Sequence, residues 1–153
     1  MTQFRRTADG QVVPMTEAEI AAMQPSLADR RERCAQATEA EFDARVMRFP
    51  YDFGPSYGTL HLQNRGVDDR TNWLVLRTTA NELIAAGMGE SAILGIRTEE
   101  NITVPVTAQQ ATQVMSALAA WGGQMLAHSW ALKDAIRVSD DPESIDIEAG
   151  WPG

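Results

Sequence analysis

The chain contains few of the residues that build metal sites and nucleophilic catalytic sites. Among its 153 residues are one cysteine and two histidines. A single cysteine, Cys34, excludes a disulfide within the chain, and we interpret it as a small, partly buried helix residue. His61 and His128 lack the spacing of paired metal ligands. We therefore predict neither a metal site nor a bound cofactor.

Basic residues and long apolar runs are also scarce. The chain has 13 Lys and Arg against 21 Asp and Glu, a net charge of -8. This balance argues against binding to nucleic acid or to an anionic membrane surface. No stretch approaches the roughly 20 apolar residues of a membrane-spanning helix, and residues 1–6 lack the apolar core of a secretion signal. We expect a protein made in a cytoplasm whose partners are other proteins.

The N-terminal residues predict a hairpin followed by two helices. Asp9-Gly10 lies between two extended stretches of residues 3–13, which favours a hairpin turn. Thr16 and Glu19 form a capping-box pattern, which predicts a helix over residues 17–24. Pro25 interrupts this helix. A second, charge-rich helix is then expected to run to about Ala44.

The middle of the chain predicts a turn region and then alternating short strands and a helix. Aromatic residues alternate with Pro and Gly over residues 46–58, which is typical of turns with aromatic anchors. A strand is predicted over residues 59–63 and a helix over residues 67–86, ended by Gly87 and Gly89. Residues 92–97 and 101–106 predict a second hairpin.

The last helix, predicted over residues 107–138, has the clearest pattern. Thr107 and Gln110 form a capping box. Gly122-Gly123 lies mid-helix and costs about 2 kcal/mol relative to alanine, so the helix needs a partner. The partner is the helix over residues 67–86 of the same chain alone, or that helix and also the same helix in a second copy. Apolar residues recur at steps of three and four: Ala111, Val114, Leu118, Trp121, Met125, His128, Leu132 and Ala135.

Together these elements predict an α+β fold dominated by helices. We divide the chain into an N-terminal hairpin, helical arm and turn region (1–57), a compact domain (58–138) and an extended acidic tail (139–153). Ile145, Ile147 and Trp151 in that tail have a spacing that suits a surface groove.

Candidate catalytic motifs are weak. Residues 54–58 match G-x-S-x-G, but a nucleophile elbow needs a preceding strand and a following helix, so we interpret them as a turn. Asp68-Asp69 and Asp140-Asp141 are adjacent pairs, and neighbouring helix residues do not face each other. We predict no catalytic residues and no small-molecule substrate.

The residues that we select as candidates for packing or for an interface lie on or near the last helix. His128 has two interpretations: a polar residue that fixes the register of an oligomer, or a histidine at the core edge with a local hydrogen bond. Trp130 lies off the apolar row and is expected to cover a second surface or contact a partner. The full set is Trp121, Met125, His128, Trp130, Leu132, Ile136 and Trp151.

Several stretches together resemble a known but uncharacterised family. They run Gly58-Thr59-Leu60-His61-Leu62-Gln63-Asn64-Arg65, Asp68-Asp69-Arg70-Thr71-Asn72-Trp73, Ile96-Arg97-Thr98-Glu99-Glu100-Asn101, Val104-Pro105-Val106-Thr107 and Ser129-Trp130-Ala131-Leu132-Lys133-Asp134-Ala135-Ile136. Their order and spacing over residues 58–136 resemble a domain family of tailed bacteriophages and prophages, found in proteins of tail-fibre and tail-assembly type. The family carries no established catalytic residues, and none are transferred.

The resemblance implies a virion-associated or assembly role in a phage tail. The first hypothesis is a structural component of the fibre or baseplate region, present in several copies as a homo-oligomer and contacting other tail proteins. The second is a tail-fibre assembly chaperone that is not retained in the virion. A third is a small enzyme acting on the host wall or capsule, which would need a carboxylate pair in a cleft.

Overall fold

The structure, a computed structural model, describes residues 3–8 and 10–153. The fold is α+β and dominated by helices, as predicted. The strands of the described residues form three separate two-stranded antiparallel hairpins. The elements in chain order are β1 (Phe4–Arg6), β2 (Val12–Pro14), α1 (Glu17–Met23), α2 (Leu27–Val46), β3 (Arg48–Asp52), β4 (Thr59–Gln63), α3 (Val67–Ala85), β5 (Ile93–Arg97), β6 (Thr103–Thr107) and α4 (Ala108–Val138).

Helix α4 is the central element of the fold. Its capping box is formed as predicted: the Gln110 N–H donates to Thr107 Oγ1 at 3.1 Å. The first half of α4 lies beside the end of α3, where Thr112 Oγ1 and Asn81 Oδ1 are 3.4 Å apart. The second half lies beside α2, where Lys133 and Glu39 form an ion pair. The helix therefore packs on two helices of its own chain.

The β3–β4 and β5–β6 hairpins, which we call the inner hairpins, pack against α4 and supply most of the remaining core. Their inward-facing residues alternate with exposed ones, as expected for sheets with one buried face. Phe49 packs against Trp121 with ring centroids 5.2 Å apart. The fully buried core residues include Leu62, Ile96 and Met125, and each contributes roughly 1.5–3 kcal/mol of burial free energy.

The N-terminal hairpin and the first helix form as predicted. β1 and β2 pair around the turn, although Asp9 of the predicted Asp9-Gly10 turn lies outside the described residues. Thr16 and Glu19 form the reciprocal capping box of α1. The chain restarts after Pro25 with a second capping box, Ser26 with Asp29, which was not predicted. We refer to residues 3–8 and 10–25 as the arm.

The prediction of turns throughout residues 46–58 was wrong for its first half. Arg48–Asp52 is a strand that pairs with β4, and the turn is confined to residues 53–58. Phe49 and Tyr51 lie opposite Leu62 and Leu60, so burial of these cross-strand pairs favours the strand. Pro50 is compatible with it because an edge strand leaves one N–H position unpaired. α3 and the β5–β6 hairpin lie within about two residues of their predicted bounds.

The acidic segment after α4 is mostly irregular and folds back onto the helices. It begins with a short 3-10 turn, Pro142–Ser144, in which Pro142 is buried. Arg30 in α2 holds this turn through Glu143, with Nε to Oε1 at 2.8 Å. The Arg31 side chain donates to the carbonyl oxygen of Ser139. We refer to residues 139–153 as the C-terminal segment.

Candidate interaction surface

Most of the predicted interface residues are used inside the chain. Trp121, Met125 and Ile136 are buried, and Leu132 is half-buried. They pack within the fold that α4 forms with α2, α3 and the inner hairpins. The indole Nε1 of Trp121 is buried without a hydrogen-bond acceptor. These residues therefore pack inside the chain.

His128 and Trp151 anchor the C-terminal segment. Their rings meet edge to face with centroids 4.7 Å apart, and Phe42 of α2 lies 6.4 Å from the Trp151 ring. His128 Nε2 lies 3.0 Å from the carbonyl oxygen of Ala149, so a protonated Nε2 donates to it. Trp151 Nε1 donates to the carbonyl oxygen of Ile147 at 2.8 Å. His128 is therefore a core-edge histidine with a local hydrogen bond.

The groove predicted for the apolar residues of the C-terminal segment lies along α2. Ile145 and Ile147 are half-buried and border a shallow depression together with Cys34 and Ala37. Cys34 is partly buried, as predicted. This face is occupied by the chain itself.

Trp130 is the predicted residue that remains open to solvent. Its exposed fraction is 58%, and Leu126, one turn earlier on the same face of α4, is 37% exposed. Residues four apart on a helix are neighbours, so these two side chains form a small apolar patch. The expected contact of Trp130 with a partner stays a prediction.

In each hairpin one strand contains a proline and the other does not. We call the edge of the strand with the proline the blunted edge and the other the open edge. In an antiparallel pair, residues alternate between positions that exchange hydrogen bonds with the partner strand and positions whose N–H and C=O groups point away from it. The hydrogen bonds at the turn and at the ends of each hairpin show which positions face the partner strand. In the β5–β6 hairpin, for example, the Thr98 N–H donates to the Ile102 carbonyl oxygen. Each proline occupies an outward-pointing position and offers no donor there: Pro14 in β2, Pro50 in β3 and Pro105 in β6.

The open edge of β4 forms hydrogen bonds with backbone and side-chain groups of the same chain. The Glu99 N–H donates to the carbonyl oxygen of His61 at 2.8 Å, and the His61 N–H donates to the Glu100 carboxylate at 3.1 Å. Trp73 Nε1 donates to the carbonyl oxygen of Gln63 at 2.7 Å. Together these bonds attach the β5–β6 turn and α3 to β4.

His61 and Glu100 form the main polar contact at this junction. The His61 Nδ1 lies 2.6 Å from Glu100 Oε1. Desolvation raises the pKa of Glu100, but the hydrogen bonds from the His61 ring and backbone outweigh it and lower that pKa to about 2. Glu100 therefore stays ionised at neutral pH and holds the hairpin turn against β4.

The open edge of β5 borders a cleft between the β5–β6 hairpin and α3. Ile93, Gly95 and Arg97 occupy the positions opposite Thr107, Pro105 and Thr103, so their N–H and C=O groups point away from β6. The cleft has a volume of about 520 Å³. β5 forms one wall, α3 the other, and its lining residues are Gln63, Asp69, Asn72, Trp73, Val75, Leu76, Thr79, Leu94, Gly95 and Arg97.

Apolar side chains extend from the cleft onto the surrounding surface. Leu74 and Val75 on α3 and Ile93 on β5 are all more than half exposed. An open strand edge beside an apolar-lined cleft is the geometry into which an extended peptide adds as an extra strand. We refer to the β5 edge, the cleft and these side chains as the β5 groove. Sequence reasoning missed it, although Pro105 in one strand of the second predicted hairpin was the available signal.

Other candidate sites do not show an assembled chemistry. The G-x-S-x-G residues form a turn in which the Gly58 N–H donates to the Gly54 carbonyl oxygen at 2.7 Å, and Ser56 is exposed. Within residues 3–8 and 10–153, no group of three His, Cys, Asp or Glu side chains is placed to hold a metal ion. The helices in the same part of the chain fall short of the length and apolarity needed to cross a membrane.

Comparison with known families assigns the chain to one of them. Residues 44–149 match the family described as Domain of unknown function (DUF4376), and the chain belongs to that family. The prediction of an uncharacterised domain family is thereby confirmed. The match extends beyond the predicted residues 58–136 at both ends, to include β3 and most of the C-terminal segment, and it leaves out the arm. No curated protein and no solved structure matches significantly.

Proposed function

We propose that this protein is a structural component of a bacteriophage tail, in the fibre or baseplate region, that acts by protein–protein assembly in several copies. It would be made in the cytoplasm of the host bacterium and retained in the tail of the virion. The observation that carries the proposal is the arm, which contributes nothing to the core of its own chain.

The arm has the properties of a segment whose apolar side chains are covered by another protein. None of residues 3–8 and 10–26 is buried. Phe4, Val12 and Met23 are each more than half exposed. The Arg5–Glu19 ion pair, at 2.7 Å, joins two parts of the arm to each other. A folded segment with exposed apolar side chains is stabilised when a partner covers them.

The β5 groove supports the same proposal from the body of the protein. It places unpaired backbone groups next to exposed apolar side chains, and such edges are normally protected in monomeric proteins. Parts of the stretches that resemble phage tail proteins line this groove: Asp69, Asn72 and Trp73 in α3, and Arg97 in β5. The phage-tail context itself rests on that resemblance.

A tail-fibre assembly chaperone is the alternative, and an open groove would also suit transient binding of a fibre segment. The two functions are separated by mass spectrometry of purified particles from a phage or induced prophage that carries the gene. A structural component is expected in particles at a fixed ratio to known tail proteins, in more than one copy. Absence from particles, with presence in the lysate, would contradict the structural role and favour the chaperone.

A matched deletion makes this experiment sharper. Particles assembled with a chain that lacks residues 1–25 are compared with particles assembled with the Val138→Ala variant, which alters a 77% exposed apolar side chain outside the arm. We expect the arm deletion to remove the protein from particles and Val138→Ala to leave its ratio unchanged. Equal incorporation of both variants would show that the arm does not carry assembly.

A further inference from the structure

We propose that β1 of one copy adds as an antiparallel strand to the open edge of β5 in a second copy. The inference deepens the proposed function, because it names the surfaces through which copies of this chain meet. It depends on three observations: the open edge of β5, the open edge of β1, and the charges on the two surfaces.

The acceptor is the edge formed by Ile93, Gly95 and Arg97. Their outward N–H and C=O groups provide the alternating donors and acceptors that a new strand needs. Gly95 lies at the centre of this edge, and glycine within a strand permits the close approach of another backbone. The opposite edge of the same hairpin carries Pro105. Addition on the β5 side is therefore favoured over addition on the β6 side.

The donor is β1 in the arm. The Met15 N–H donates to the carbonyl oxygen of Gln3, and the alternation from this bond makes Phe4 and Arg6 outward-pointing positions. Their cross-strand neighbours are Pro14 and Val12, so proline blunts the β2 edge. In both hairpins the first strand is open and the second contains the proline. The two open edges are chemically complementary to each other.

One register satisfies both the side chains and the backbone. With Phe4 opposite Gly95, Arg6 lies opposite Ile93 and Arg5 opposite Leu94. Phe4 then covers the side-chain-free position at Gly95, next to the 64% exposed Ile93, as aromatic residues do beside strand glycines. Arg5 shares a face with Leu94, which lines the cleft together with Asp69.

Charge favours the pairing of β1 with β5 of a second copy over the pairing of two β1 strands. β1 carries Arg5 and Arg6, whereas the chain as a whole has a net charge of -8. The cleft lining holds one carboxylate, Asp69, and one cation, Arg97, so the attraction comes from the acidic chain as a whole. A basic strand is therefore attracted to the acidic body of another copy, while two β1 strands would repel each other.

The first test compares two proline variants of the full-length chain by sedimentation velocity over a range of concentrations. Arg6→Pro removes an outward N–H from β1, and Val12→Pro removes an outward N–H from the directly opposite position of β2. We expect Arg6→Pro to raise the dissociation constant of the dimer roughly tenfold, because a backbone hydrogen bond and a charge are lost. Val12→Pro should change that constant by less than about twofold. Equal effects, or a wild-type monomer at every concentration, would overturn the inference.

The second test identifies the strands directly. In a Cys34→Ser background, a chain with Arg6→Cys is mixed with a chain with Ile93→Cys under mild oxidation. Residues directly opposite at a hydrogen-bonded position have Cα atoms about 5.5 Å apart, within the range of a disulfide. The expected product is a mixed dimer. A control with Val12→Cys in place of Arg6→Cys should give at least fivefold less of it, and equal yields would contradict the register.

Failure of this inference and failure of the proposed function are distinguishable. A chain that is found in particles but shows no dependence on β1 for self-association retains the structural role and loses strand exchange. A chain that forms the mixed disulfide but is absent from particles retains strand exchange and loses the structural role. Disulfide formation within one chain carrying both cysteines, but not between chains, would show that β1 docks on its own body.

Discussion

The two ends of the chain differ in how they are held. The C-terminal segment has irregular backbone, yet it is held by the edge-to-face contact of Trp151 with His128, by the buried Pro142 and by Arg30. The arm has regular strands and a well-capped helix, yet none of its described residues is buried. Regular secondary structure and integration into the fold are therefore separate properties. Burial decides which end belongs to the folded unit.

The family match separates the two ends in the same way, but it does not follow burial throughout. It runs from residue 44 to residue 149, so it leaves out the arm and also most of α2, which packs on α4. The C-terminal segment is largely part of the domain that the family shares, and the arm lies outside the matched residues.

Removing each end in turn is expected to give the largest contrast in stability. Deletion of residues 140–153 exposes the faces of α2 and α4 under Trp151 and Pro142, and should lower the free energy of unfolding by about 3 kcal/mol. Deletion of residues 1–25 should change it by less than about 0.5 kcal/mol, because no buried contact is lost. Urea denaturation at a protein concentration that keeps the chain monomeric measures both. Similar losses from the two deletions would contradict the comparison.

Two tryptophans test the same contrast at single-residue level. Trp151→Ala removes the ring that contacts Phe42 and His128, and should cost about 2 kcal/mol, because the half-buried ring loses part of the burial energy of a full tryptophan. Trp130→Ala alters a 58% exposed ring, and should change stability by less than about 0.5 kcal/mol. Thermal unfolding followed by circular dichroism compares them. A larger loss in Trp130→Ala would show that this ring packs in solution.

Local patterns predicted the elements well where one signal dominated. Thr107 with Gln110 and Thr16 with Glu19 marked two helix starts, and the periodicity of α4 marked its packing face. The strand at Arg48–Asp52 was missed because Pro50 is a turn residue by local preference, and only the pairing with β4 shows that its missing N–H faces outward. A tertiary contact overrode the local preference there.

The candidate surface could be predicted only in part, for a related reason. The selected residues were the large apolar ones of α4, and a periodic row does not reveal whether its partner belongs to the same chain. α2 has few large apolar residues, yet it covers the second half of α4 together with the C-terminal segment. The β5 groove depends on which residues of β5 direct their N–H and C=O groups away from β6. That alternation follows from the pairing register of the two strands, and a single sequence does not specify the register.

Acid titration is expected to separate the two ends by a smaller effect. The hydrogen bonds from Arg30 lower the pKa of Glu143 in the C-terminal segment, and the bonds from the Thr16 backbone and hydroxyl lower the pKa of Glu19 in the arm. Each lowered pKa stabilises the folded form above the unfolded value of 4.5. That contribution is lost as pH falls through the folded pKa.

The consequences of protonating these two carboxylates should nevertheless differ. Protonation of Glu143 weakens a contact between α2 and the C-terminal segment, so it lowers the global Tm, whereas protonation of Glu19 frays α1 alone. Glu143→Gln should therefore flatten the dependence of Tm on pH below 4.5, and Glu19→Gln should leave it as in the wild type. Differential scanning calorimetry between neutral pH and the acid limit of reversible unfolding measures both. If Glu19→Gln flattened the profile as much as Glu143→Gln, the arm would be part of the cooperative fold, and the contrast between the two ends would be wrong.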